Sequence, residues 1–393
     1  MKRESEIINH LQKRVIKHFG KQISTATDCE KLADALKQNF NANISPQTLR
    51  RFFGLIKSTS KTSIFTLDLL SKYCGFRDYE SFRQSYSNSE LELFFGSDED
   101  NGKNYWRKSE ELCRQIIDSP ELLVEIHHRL LSYPLARKYF MENHPMRDMI
   151  GTVYSQYFLS YLKFNQTNEA KIFAYGFLFH SAFLLENTEL MELCYRKVAE
   201  TDLSEEVYVI PAGLKFGVQL LYADFIEDED LFRKYFNEMK ETRIEYIKAS
   251  EKSVCSFEYT VLESLIFTER TEEIKFLLEN NTPHKVKDYS YIPEDRKQTH
   301  DEVWKILCAA AFQKIGDLEK SNAYLKKVNL KNLGIGWKKY YTMFYYFTQI
   351  ELAEADKREE IILKLQKLID ETHFFYFETQ LHNSARLKKW NLS

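Results

Sequence analysis

From about residue 173 onward the chain repeats one event. A helix of mostly apolar residues breaks, a polar residue restarts it, and an amphipathic helix follows. The breaks fall near Asn187, Asp228, Arg270, Gly316 and Asp356, with spacings of 41, 42, 46 and 40 residues. The pairs read as Phe173–Leu185 with Glu189–Val198, Leu214–Ile226 with Asp230–Lys240, and Phe257–Phe267 with Glu272–Glu279. Val303–Ile315 with Leu318–Val328 and Tyr340–Ala353 with Arg358–Ile369 complete the set. In each pair the apolar helix reads as the longer one. A single helical hairpin cannot cover its own apolar face and must stack on the next, so this period predicts an α-solenoid.

The rest of the chain agrees with an all-α protein. Only 12 Gly and 7 Pro occur in 393 residues, too few for a chain built on tight turns or strands. Between Tyr105 and residue 150, connecting helices are predicted over Trp106–Ile117, Pro120–Leu131 and Pro134–Met141. A one-sided stripe follows in Val153, Tyr154, Tyr157, Phe158, Tyr161 and Leu162. Ile172–Leu184 is apolar nearly all round and should be enclosed. Phe374–Trp390 reads as a capping helix with a basic end at Arg386, Lys388 and Lys389. The 24 Tyr and 29 Phe are expected to fill helix–helix interfaces.

Residues 1–86 read as a separate bundle, joined through a polar linker at 87–104. Helical spacing runs through Ile7, Ile8, Leu11, Val15 and Phe19, and Gly20 ends it. Thr27-Asp28 is the expected N-cap of a helix from Cys29 to Phe40. A fourth helix carries Phe65, Leu67, Leu69, Leu70 and Tyr73 on its apolar stripe, and a last short one spans Asp78–Tyr86.

Between the second and fourth helices lies the segment with the strongest chemical character. In Asn43-Ile-Ser-Pro-Gln-Thr-Leu-Arg-Arg-Phe-Phe-Gly54, Ser45 suits an N-cap, Pro46 the first helical position, and Gly54 the stop. Leu49, Phe52 and Phe53 can turn inward while Gln47 and Arg51 share an outward face flanked by Arg50. Arginine pairs with guanine edges or phosphate and glutamine with adenine, so this face suits DNA; on a purely structural helix it would be a solvated surface. From Ala35 to Leu67 no acid occurs, but Lys37, Arg50, Arg51, Lys57 and Lys61 do. Residues 1–90 hold 15 Lys and Arg against 9 Asp and Glu, and the remainder 40 against 49, so a basic end precedes an acidic body.

Leu32-Ala33, Ile44-Ser45-x-x-Thr48-Leu49-x-Arg51-x-x-Gly54 and Thr66-Leu67-x-x-Leu70-Ser71-x-x-x-Gly75-Phe76 resemble the λ-repressor-like helix-turn-helix family. The resemblance implies that Gln47 and Arg51 occupy base-contacting places, with Ser45 and Thr48 at cap and near-phosphate places. Arg50, Lys57 and Lys61 join them as expected DNA contacts. Two departures stand out: Pro46 replaces a position often used for a base contact, and Leu32–Ile44 is several residues longer than the family's helix and turn. The fourth hairpin is similar to a tetratricopeptide repeat in Ala309, Phe312, Gly316-Asp317, Ser321, Leu325 and Val328. The other hairpins share the period only.

No G-x-x-x-x-G-K-[ST], G-x-G-x-x-G or H-E-x-x-H string is present, so no enzyme activity, cofactor or metal is expected. The six cysteines, about forty residues apart with no C-x-x-C, predict free thiols in a reducing cytoplasm. The longest apolar run, Ile172–Leu185, is too short to span a bilayer, and no apolar stretch follows the charged start to suggest export. The expectation is a bacterial, cytoplasmic, DNA-binding transcription regulator with a helix-turn-helix domain at 1–86, linker at 87–104, connecting helices at 105–150 and TPR-like repeats at 151–393. Resemblance to peptide-sensing regulators of this order implies double-stranded DNA, a peptide or protein ligand in the repeat groove, and a homodimer. The alternative is a non-enzymatic interaction scaffold whose N-terminal bundle binds protein.

Overall fold

The computed structural model describes residues 2–57, 61–83, 102–117, 119–204, 207–285 and 294–388, and all regular structure among them is helical. Most of the expected linker, together with Tyr86, Lys389 and Trp390, lies outside the described residues. The chain divides into two compact units, Met1–Glu99 and Asp100–Ser393.

The first unit holds α1 (Lys2–Phe19), α2 (Ala26–Phe40), α3 (Pro46–Phe52), α4 (Ile64–Tyr73) and a helical turn at 79–83. Leu11, Val15, Leu32, Leu36, Leu49 and Leu70 are fully buried, one or more from each helix. Each contributes about 1.5–3 kcal/mol by leaving water, which is how short helices persist together that would fray alone.

Two local expectations need correction. The N-cap of α2 is Thr25; Asp28, at the third helical position, completes a capping box with it. A carboxylate three residues into the helix reaches back to the cap's N–H, which the expected Thr27-Asp28 cap could not do. Phe65 is 54% exposed, as is its neighbour Ile64 at 65%. With Ser63 capping α4, the buried face centres on Thr66, Leu70 and Tyr73. At 100° per residue Phe65 falls roughly 110° from its middle.

In the second unit, α5 (Gly102–Ile116) and α6 (Pro120–Leu130) precede a one-turn helix, Pro134–Arg137, that runs into a π-helical turn at Lys138–Glu142. After 3₁₀ turns at Arg147–Met149 and Val153–Ser155 comes α7 (Gln156–Tyr161). The expected stripe is buried at Tyr154, Tyr157, Phe158 and Tyr161, but Val153 points outward.

Five helical hairpins follow: α8 (Asn168–Leu184) with α9 (Thr188–Ala199), α10 (Val209–Phe225) with α11 (Glu229–Ser250), and α12 (Phe257–Leu265) with α13 (Thr271–Glu279). Then come α14 (Glu294–Lys314) with α15 (Leu318–Leu325), α16 (Lys338–Leu352) with α17 (Ala355–Thr372), and a last helix, α18 (Phe375–Lys388). The first helix of each hairpin packs on its own partner and on the first helix of the next hairpin.

Three of the hairpin turns share one mechanism. Glu186, Glu227 and Gly316 take left-handed backbone, with φ of 54°, 56° and 83°. The following Asn187, Asp228 and Asp317 donate their N–H back to Ala182, Ala223 and Phe312 at 2.8, 3.0 and 2.8 Å, closing the first helix. Their side chains then accept from Leu190, Leu231 and Lys320 and open the second. The last hairpin restarts at Glu354, two residues before the expected break. Nor is the apolar helix always the longer: α11 has 22 residues to the 17 of α10, and α17 has 18 to the 15 of α16. Polar side chains prolong α11, with Arg243 reaching the Asn280 carbonyl at 2.6 Å and Tyr246 the Val207 carbonyl at 2.9 Å.

Close packing between the first helices rests on small residues. On α10, a Cβ at Gly213 would lie 2.8 Å from the Phe257 carbonyl oxygen, and one at Gly217 would lie 2.4 Å from the Ser264 hydroxyl. α12 therefore sits against a glycine groove. At the fourth hairpin Ser321 donates to the Ala309 carbonyl at 2.8 Å, and Phe312 stacks on Tyr324.

The face shared by α8, α12 and α16 is covered by the chain itself. Arg147 enters it, forms a bidentate pair with Glu263, and lies over the rings of Trp337 and Phe177 at 4.4 and 5.1 Å. From α18, Tyr376 and Phe377 pack on Phe183, Phe267 and Phe344. The predicted terminal cap is thus a helix that returns to α8 as well as to α17.

Candidate nucleic-acid interface

The candidate surface is built on α3, whose ends are both tied down. Ser45 caps its start, accepting from the Thr48 N–H at 3.0 Å, and the two hydroxyls lie 2.8 Å apart. At its other end the Leu55 N–H reaches back to the Arg50 carbonyl at 2.8 Å while Gly54 takes φ +70°, the six-to-one closure that glycine permits. From α1, Gln12 donates its side-chain amide to the Phe52 carbonyl. Leu49 and Phe52 are buried and Phe53 is half-buried, with its ring edge-on to Phe52.

The opposite side of α3 carries the expected residues. Gln47 and Arg51 are exposed, one turn apart, and Lys57 and Lys61 are exposed on the segment leading to α4. None of these four forms a hydrogen bond or ion pair through its side chain among the described residues. Ser45 is exposed and Thr48 half-buried, with their hydroxyls engaged in the cap. Arg50 differs. It is half-buried and pairs with Glu30 of α2 at 3.1 Å, with its Nε buried and without a hydrogen-bond partner. The structure therefore places Arg50 at the α2–α3 contact while Arg51 points away from it.

The start of α2 offers little to an anion. Asp28 accepts from the backbone of Ser24 and Thr25 at 3.2 and 2.9 Å and from the Thr25 hydroxyl at 2.7 Å, and Lys21 pairs with its other oxygen. Lys21 first, then Thr25, hold this carboxyl well below the usual carboxylate range. The helix terminus is thus already matched with negative charge. Positive potential comes instead from Arg51, Lys57 and Lys61.

Neither Gln12 nor the Glu30–Arg50 pair was legible beforehand. Each joins residues 20 or 40 positions apart, and no local spacing carries such a contact. Between α2 and α3 the chain runs through Asn41, in left-handed backbone, and four further residues. The longer Leu32–Ile44 segment is thus taken up by both a helix that continues to Phe40 and a five-residue connection.

All six cysteines are free, and five are buried. Among the described residues no helix is long and apolar enough to cross a membrane, and no cluster of His, Cys, Asp or Glu is arranged to hold a metal ion.

No protein-family model matches this chain, and comparison with curated proteins and with solved structures finds no match. Function has to be argued from the side chains themselves.

Proposed function

We propose that this protein is a DNA-binding transcription regulator. In this reading residues 1–86 form a helix-turn-helix bundle, and the hairpins of the second unit form a TPR-like solenoid that senses a signal or mediates assembly. The observation that carries it is the pairing of Gln47 and Arg51: exposed, unpaired, one turn apart on a helix fixed at both ends, with no acid between Ala35 and Leu67. Side chains on so constrained a helix can meet base edges with little loss of freedom, while Lys57 and Lys61 meet phosphate. Because α18 and the Arg147 segment already cover the face of α8, α12 and α16, a peptide or protein ligand would use another face of the repeats. Selection of genomic fragments by the full-length protein, repeated across salt concentrations, tests the reading. An enriched motif with salt-dependent affinity supports it, and the absence of both rejects it.

A second reading has its own observation. Ile64 and Phe65, with Leu55 and Phe40, leave large apolar side chains exposed on the first unit. Such residues suit a protein partner, as expected of a scaffold. Capture of the same partner by wild type and by an Arg50→Ala/Arg51→Ala double variant, with no DNA selected, would favour it.

A further inference from the structure

Beside the buried Arg147 lies a second concentration of polar groups that the DNA reading does not use. Trp106 and Glu110 of α5, His144, Arg296 and His300 of α14, and Trp337 line a cavity of about 220 Å³. Five buried polar atoms here have no hydrogen-bond partner among the described residues: Trp106 Nε1, His144 Nε2, Arg296 Nη1 and both ring nitrogens of His300. Trp106, His144 and His300 are each more than nine-tenths buried. An unpaired buried polar atom is costly, so five in one cluster need a reason.

The arrangement is directional. The Arg296 guanidinium lies 4.5 Å over the Trp106 ring, His144 meets Trp106 edge-on at 5.1 Å, and His300 meets Trp337 edge-on at 5.0 Å. Trp106 Nε1 and Arg296 are donors only. Lys331 and Arg114 stand at the margin, the latter paired with Glu110 at 2.9 Å. Glu110 in turn lies against Asp295, and burial together with that neighbour pushes the Glu110 carboxyl up to about 7, so this group carries less than its full charge near neutrality. Burial, then Arg296, drive His144 down to about 3, and the same causes hold His300 well below its ordinary value. The imidazoles are neutral, and the field they feel is positive.

We propose that this cavity binds a small organic anion, its carboxylate or phosphate oxygens received by Arg296 and Trp106 and its remaining polar atoms by His300 and His144. Trp106 and Trp337 line the cavity beside these groups and give it an apolar wall. Arg296 is half-buried as a residue, and the guanidinium nitrogen that lies over this site is buried and without a partner. The proposal is independent of whether the first unit meets DNA. It makes α5 and α14 the element through which a metabolite would reach the hairpin array.

The test uses the full-length protein with phenyl phosphate, benzoate and inorganic phosphate as probes, and benzylamine as the cationic counterpart. All four tryptophans, Trp106, Trp304, Trp337 and Trp390, belong to the second unit, so their indole N–H resonances report on that unit. The expected result is saturable binding of phenyl phosphate or benzoate tighter than about 1 mM, with the Trp106 indole resonance displaced. Phenyl phosphate against benzoate separates the two oxyanions. Arg296→Gln should weaken binding at least about tenfold, the loss of one charged hydrogen bond. Absence of saturable binding, binding that leaves the Trp106 resonance in place, or benzylamine binding as tightly as the anions overturns the proposal. So does unchanged affinity in a folded Arg296→Gln variant. If that variant loses its helical circular dichroism, the Trp106 resonance of the wild type decides alone.

Discussion

Arg147 and Glu263, 116 residues apart in sequence, form two parallel hydrogen bonds of 2.7 and 3.0 Å inside the second unit. Tyr341 donates to the same carboxylate, and the guanidinium is sandwiched among aromatic rings. Burial opposes charge on both partners, and each overcomes it for the other: the arginine is held above its ordinary range and the glutamate below. The pair ties the segment before α7 to the third hairpin, and through Tyr341 to the fifth. Removing one partner leaves a buried charge uncompensated, so Arg147→Met should lower unfolding free energy by about 3–5 kcal/mol. Urea denaturation followed by circular dichroism measures it. The double variant Arg147→Met/Glu263→Leu should recover part of the loss, since no charge is then stranded.

On α3, two adjacent arginines should behave differently. Arg51→Ala removes an exposed, unpaired side chain and should leave the melting temperature unchanged while weakening specific DNA binding by about 1–3 kcal/mol. Arg50→Ala should remove the Glu30 contact at the α2–α3 junction, with a stability loss of up to about 1 kcal/mol because that pair is partly open to solvent. Fluorescence anisotropy on a selected site, alongside thermal melts, separates the two. A loss of binding for Arg50→Ala as large as that for Arg51→Ala would place both on the DNA.

Gly217→Ala should be damaging in spite of its small size. The added methyl would meet the Ser264 hydroxyl at 2.4 Å and its Cβ at 2.9 Å, forcing α10 and α12 apart. A loss of about 1–3 kcal/mol is expected, partly restored by Ser264→Gly. Paired denaturation curves check it.

Acid should loosen the second unit earlier than its carboxylates alone would predict. Burial pushes His127, His144 and His180 down to about 4, 3 and 4, and His300 well below its usual value. Between roughly pH 6.5 and 4 the unfolded chain therefore takes up protons on these residues that the folded chain refuses, and stability falls as pH falls. Glu110 and Asp148, raised mainly by burial to about 7 and 6, work the other way over part of that window. Burial also lowers His284 and raises Glu169, so five groups against three leave a net uptake of about two protons, or up to about 3 kcal/mol per pH unit. Urea midpoints at about pH 7.5, 6, 5 and 4.5, from above the window down through it, give the slope. A flat profile would show that the histidines are accessible to protons in the folded state.

What could be read from residue order was whatever depends on neighbours in the chain. The restarts at Asn187, Asp228 and Gly316-Asp317 lie where expected because a left-handed residue followed by an Asn or Asp cap is local chemistry. Ile172–Leu184 is buried nearly throughout because a helix apolar on every side has no face to offer water. Ser45, Pro46 and Gly54 bound α3 for the same local reasons, and the spacing of the buried Leu49 and Phe52 puts Gln47 and Arg51 on the other side. Tertiary structure decided the rest. Arg50 leaves the open face because Glu30 comes within 3.1 Å of it, and Phe65 stays exposed because the packing of α4 centres on Thr66, Leu70 and Tyr73. The cavity among Trp106, His144, Arg296 and Trp337 joins residues up to 231 positions apart, a meeting that only the stacked hairpins bring about. Local rules set the helices and their ends; which side chains lose water, gain partners or go without them depends on distances that close only once the helices have packed.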